Sequence, residues 1–148
     1  MFEKIVVAVD GSELGNKALE AAIAIGKQQQ AMLQVLHIIK QVVVAPYVVG
    51  EMAYVSREYD EEIMAAMKKE GQELVDNAKA KAEAEGLTVS THVITGDPAR
   101  QILDFSKENH AKLIVMGSRG LGPFKEMMLG SVSHRVSQLS ECPVLIVK

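Results

Sequence analysis

Cysteine is almost missing from this 148-residue chain: Cys142 stands alone, so no internal disulfide can form. No signal-peptide pattern precedes the strand-like opening MFEKIVVAV, and a reducing, cytoplasmic setting is the expectation. Long apolar runs are missing as well. None approaches the roughly 18 to 20 residues that span a bilayer, so no membrane partner is expected. Basic blocks are also absent. Lys and Arg total 16 against 19 Asp and Glu, for a net charge of −3, which argues against a sequence-independent grip on nucleic acid.

Several chemical motifs are lacking too. There is no GxxxxGK followed by Ser or Thr, and Gly120-x-Gly122 runs on into Pro-Phe-Lys rather than completing GxGxxG. His37, His92, His110 and His134 show no metal-ligand spacing, and each reads as structural. Ser131 and Ser133 adjoin His134, yet no GxSxG elbow presents a nucleophile. After the first strand stands GSELG in place of an SGGxDS-like pyrophosphate loop. Cys142, before Pro143, reads as a small buried hydrophobe.

What is present is a regular alternation. Hydrophobic residues make up 48% of the chain, enough for one domain over residues 1–148 with a real core. Ile5–Val9 (IVVAV) is a buried-strand run ending at Asp10-Gly11-Ser12, where Ser12 or Asp10 can cap a helix starting near Glu13. Leu14, Ala18, Ala21, Ala22 and Ile25 give that helix one apolar stripe, and MLQVLHII from Met32 to Ile39 is the next strand. The unit is β-α-β, with parallel strands expected. Residues 41–60 mix Pro46, Gly50 and three tyrosines, and are read as a long apolar connection: a lid, a partner contact or a mobile loop. A helix is expected from about Tyr59 to Glu85, with Ile63, Met67, Gly71, Leu74, Ala78 and Ala82 on its face and Gly86 as its stop.

The strand from Thr88 to Thr95 alternates, which places it near a sheet edge. Asp97-Pro98 starts a third helix running to about Asn109, with Ala99, Ile102, Leu103 and Phe105 inward. Leu113–Met116 is a run fit for burial on both faces, a helix follows from Ser131 to Ser140, and VLIVK closes the chain. Five strands alternating with four helices indicate an open parallel α/β sheet covered on both faces.

Between Gly117 and Ser133 lies the densest chemistry. Gly117, Gly120, Gly122 and Gly130 leave backbone amides approachable, and Gly130-Ser131-Val132-Ser133 brings N–H groups and two hydroxyls to a helix start. Arg119 adds a forked cation. Ligands of open α/β sheets sit outside the carboxyl ends of the strands, so Asp10 and Gly117 are expected to flank one phosphate-accepting crevice. A bulky residue at Gly117 or Gly130 is expected to abolish ligand binding while sparing the fold. Lys125 reads as a solvated loop residue.

The spacing Gly117-x2-Gly120-x9-Gly130-Ser131, together with KIVVAVDGSELGNKALEAA, GDPARQIL, LIVMGSRG and CPVLIVK, resembles the universal stress protein family. The resemblance covers nearly the whole chain apart from residues 41–60, and Lys112 stands where the family often has an acidic residue. It implies a Rossmann-like five-stranded parallel sheet of order 3-2-1-4-5 and a homodimer formed through the last strand. In the ATP-binding branch it implies adenine and ribose near Ala8, Val9, Asp10 and the backbone of Ile38. The phosphates then fall on Met116, Gly117, Arg119, Gly120, Gly130, Ser131, Val132 and Ser133, accompanied by Mg2+ or Mn2+. The expected role is a stress-response nucleotide module, at most a slow ATPase. The alternative is a nucleotide-free dimeric scaffold that recruits partners through residues 41–60.

Overall fold

A computed structural model describes residues 1–41, 51–120 and 130–148, with the side chains of residues 51–59 outside that description. The elements run β1 (Lys4–Ala8), α1 (Glu13–Gln29), β2 (Met32–Lys40), α2 (Glu51–Ala84), β3 (Thr88–Gly96), α3 (Pro98–Glu108), β4 (Leu113–Gly117), α4 (Ser131–Leu139) and β5 (Val144–Val147). The five strands form one sheet in the order β3-β2-β1-β4-β5, and every pairing is parallel. β1 is therefore central, while β3 and β5 are the edges, as the alternation in residues 88–95 anticipates.

Strands buried on both faces need no polar alternation, which is why β1 and β4 read as continuous apolar runs. Odd and even residues feed two separate cores. Ile5, Val7, Leu33, Val35 and Val115 pack with Ala18, Leu19 and Ala22 of α1 and with Val75, Ala78 and Ala82 of α2. On the opposite face Val6, Leu36, Ile114 and Met116 pack with Ala99, Ile102 and Phe105 of α3 and Val136 of α4.

Local signals place the helix starts. Ser12 is the N-cap of α1, its hydroxyl accepting from Gly15 N at 3.0 Å. Asp97 caps α3 by accepting from Arg100 N at 3.0 Å, and Pro98 sits where a missing N–H costs nothing. Gly86 follows α2 with φ +87°, the left-handed geometry of a helix stop.

One expectation needs correction. The connection read over residues 41–60 ends at Gly50: residues 51–60 are already helix, and α2 is 34 residues long. Tyr54, Val55 and Tyr59 argue locally for β structure, but continuity with the following helical face overrides that weak preference. Residues 42–50 lie outside the described residues. Val75, absent from the expected face of this helix, is completely buried, whereas Ile63 is 39% exposed. Among the described residues no helix is long and apolar enough to cross a membrane.

Candidate functional site

Because all strands run the same way, the carboxyl ends of β1, β2 and β4 and the N-termini of α1, α3 and α4 meet on one side of the sheet. There they enclose a cavity of about 610 Å3. The twelve residues expected from sequence, Ala8, Val9, Asp10, Ile38, Met116, Gly117, Arg119, Gly120, Gly130, Ser131, Val132 and Ser133, all line it. Six others do so as well: Gly15, Leu36, Lys40, Pro98, Ile102 and Ser118. Pro98 and Ile102 open the third helix, and every helix after a strand in such a sheet starts at this same end. Lys40 carried no motif; only its place as the last residue of β2 brings it here.

The turn after β1 is fixed by its own polar groups. Ser12 N donates to Asp10 Oδ1 at 2.9 Å and the Ser12 hydroxyl donates to the same oxygen, while the hydroxyl oxygen caps α1. Asp10 thus anchors the capping residue and does not itself cap. Its other oxygen, Oδ2, would lie 2.7 Å from a Cβ placed on Gly120, so the carboxylate packs closely against the glycine backbone in the cavity wall.

β2 extends beyond β1, and that overhang exposes backbone. Val9 N donates to Leu36 O at 2.9 Å, so residue 36 aims its peptide groups toward β1. The strand period of two aims the N–H and C=O of Ile38 the same way, past the last β1 pairing at Ala8 and Leu36. His37 supports this corner from the other face: its Nδ1 donates to Val9 O at 2.7 Å, because a carbonyl can only accept.

On the β4 side Gly117 is required by packing. A Cβ there would meet Leu14 Cβ at 2.9 Å and the Leu14 backbone at 3.1 and 3.2 Å. A side chain at 117 would therefore push on α1, and the expectation that substitution spares the fold does not hold at this position. Gly130 is the N-cap of α4, at φ −60° and ψ 158°, and gives that helix no side-chain cap. A helix start without a side-chain cap among the described residues suits an anionic acceptor at its first-turn amides. Ser131 is exposed, whereas Ser133 is only 2% exposed and its hydroxyl donates to Ser118 O at 2.7 Å. Among the described residues Arg119 and Lys40 are the cations of the lining and Asp10 its acid. The arrangement is an apolar slot beside Leu36, Ile38, Ile102 and Met116 that opens onto a polar end rich in amide donors.

The universal stress protein family profile matches residues 1–148. Universal stress protein YxiE of Bacillus subtilis is 49% identical over 148 residues, covering 100% of both chains. The solved structure of MJ0577, a universal stress protein of Methanocaldococcus jannaschii, superposes with a TM-score of 0.84 at 28% identity, covering 100% of this chain and 96% of that one. Two further structures share the fold. One is a universal stress protein in complex with cAMP (TM-score 0.67, 24% identity, covering 99% and 96%). The other, from Archaeoglobus fulgidus, is in complex with dAMP (TM-score 0.67, 24% identity, covering 100% of both chains). By the span of the family match and the identity to its relatives, this chain belongs to the universal stress protein family.

Proposed function

We propose that this protein binds an adenine nucleotide, ATP foremost, in the cavity at the carboxyl edge of the sheet, and that the occupied state is a regulatory signal in the cytoplasm. The observation that carries the reading is the N-terminus of α4, without a side-chain cap and packed against the Gly117–Gly120 turn, in the wall of a cavity of about 610 Å3. A helix terminus contributes only about 0.3 to 1 kcal/mol toward a surface anion and roughly 2 when partly buried, too little to hold a nucleotide alone. The amides of residues 131–133, the Ser131 hydroxyl and the Arg119 fork act together on the phosphates. The Asp10 Oδ2 accepts from a ribose hydroxyl, and the base lies in the apolar slot with its edge read by the Ile38 N–H and C=O.

Mg2+ or Mn2+ enters with the phosphates. Among the described residues no group of three or more His, Cys, Asp or Glu is placed to hold a metal. Mg2+ keeps several waters and takes phosphate oxygens, so an ion carried by the nucleotide needs no protein cage of its own. Among the described residues Asp10 is the one acid of the lining, and its Oδ1 is already engaged by Ser12. That favours binding and release over dedicated hydrolysis, which needs a group to position water. The cAMP and dAMP complexes of fold relatives support an adenine ligand. The edge strand β5, where Leu145 is 37% exposed, is proposed to pair with a second copy, beside Leu139 at the end of α4, which is 59% exposed.

The test is to denature purified protein, identify released nucleotide by chromatography, and compare melting with and without Mg-ATP. Ligand at 100 times its Kd stabilises by about 2.7 kcal/mol. For a domain of this size that raises Tm by roughly 5 to 10 °C. Protein that releases no nucleotide and does not shift with any adenine nucleotide would sink the reading and favour the scaffold alternative, whose recruiting segment includes residues 42–50.

A further inference from the structure

The start of α4 poses a problem that its own sequence does not solve. A Ser, Thr, Asp or Asn at the N-cap normally orients the first turn, but it does so by accepting from the amides that an anionic ligand needs. Gly130 leaves those amides available and gives up the orientation. Something else has to aim them, and it must act as a donor.

Ser133 meets that requirement. Its hydroxyl has one hydrogen, directed to Ser118 O at 2.7 Å, with Gly130 O at a longer 3.1 Å. Gly130 N donates to the same Ser118 carbonyl at 2.7 Å, so two donors from the start of α4 occupy both lone pairs of one acceptor at the end of β4. The acceptor is itself held, because Ser118 N donates to Val147 O of β5 at 2.8 Å. Ser133 and Ser118 are 2% and 7% exposed, so water competes little for these bonds. Resting on the nucleotide reading above, we propose that Ser133 is a positioning residue: its hydroxyl clasps α4 to β4 and aims the first-turn amides, and the phosphate-contacting hydroxyl is that of Ser131 alone.

The clasp is tested by measuring amide hydrogen exchange at Gly130 by NMR in the nucleotide-free protein, together with ATP affinity, in the wild type, Ser133→Ala and Ser133→Cys. Ser133→Ala should speed Gly130 exchange and raise the Kd for ATP by between about twofold and tenfold, the effect of one neutral hydrogen bond. Ser133→Cys, with a weak donor of similar shape, should recover part of both. Weaker ATP binding with unchanged Gly130 exchange would make Ser133 a direct ligand and overturn the proposal. Faster exchange with unchanged affinity would also overturn it, by detaching the clasp from the site. If the wild type binds no adenine nucleotide, the functional reading fails, and unchanged exchange in Ser133→Ala would overturn the clasp independently.

Discussion

The two ends of the sheet carry cavities of similar size and opposite character. The carboxyl end encloses about 610 Å3 and the amino end about 540 Å3. At the amino end α3 and α4 finish, and their terminal carbonyls are taken up locally: Phe105 O by Asn109 N, Ser106 O by Ala111 N and Val136 O by Ser140 N. The side chains there also pair among themselves, with Lys107 Nζ 2.8 Å from Glu141 Oε1, an ion pair that holds the Lys107 ammonium above its ordinary pKa. At the carboxyl end α4 begins with no side-chain cap and α1 spends its cap on a turn that leaves Asp10 Oδ2 facing the cavity. Volume alone therefore does not mark a binding site. Parallel strands force every helix to start at one end, and unsatisfied N–H groups collect there.

This contrast breaks most readily at Gly117. Replacing it with Val drives a side chain into the Leu14 backbone, and should lower stability by about 1 to 3 kcal/mol, read by urea unfolding, with loss of nucleotide binding. Gly130→Ala should be milder, since its backbone is unstrained and the nearest atom to a Cβ is Ser118 O at 3.2 Å. Next in size is Ser131→Ala. Losing a charge-assisted bond should weaken ATP binding by roughly tenfold in calorimetry while leaving adenosine affinity unchanged.

The amino end gives a smaller effect of opposite sign. Ser106 Oγ is buried there without a hydrogen-bond partner among the described residues, so Ser106→Ala should raise stability by up to about 1 kcal/mol and leave nucleotide affinity alone. The smallest effect concerns pH. Burial against Phe105 pushes the His92 imidazole below its usual value. The unfolded chain then takes a proton that the folded chain refuses, so stability is full above about pH 6.5 and falls on acidification. His92→Gln should flatten that slope in a series of melts.

The framework was legible because its signals are local and physical. Ile5–Val9 and Leu113–Met116 announce two-sided burial, Ser12 and Asp97-Pro98 announce helix starts, and the glycine spacing announces the crevice. Strand order came from family resemblance, since parallel pairing joins residues as distant as Ile5 and Leu113, and nothing local records it. The long helix was misread over residues 51–60 because tyrosine and valine there favour strands until the continuation is seen. Lys40 escaped notice because only the overhang of β2 past β1 makes it a wall of the cavity. The spacing marks Gly117 and Ser133 as residues of the crevice without recording how each is held there. Gly117 is confined by Leu14 of α1 and the Ser133 hydroxyl is turned toward Ser118 O, contacts between segments far apart in sequence that no local pattern records.

The most direct test of the account is to titrate isotopically labelled protein with ATP and follow backbone amide shifts by NMR. Saturable changes at residues 8–10, 38, 117–120 and 130–133, with residues 107–112 and 140–143 unmoved, are the predicted result. Changes centred on the amino-end cavity, or none at saturating ATP, would contradict it.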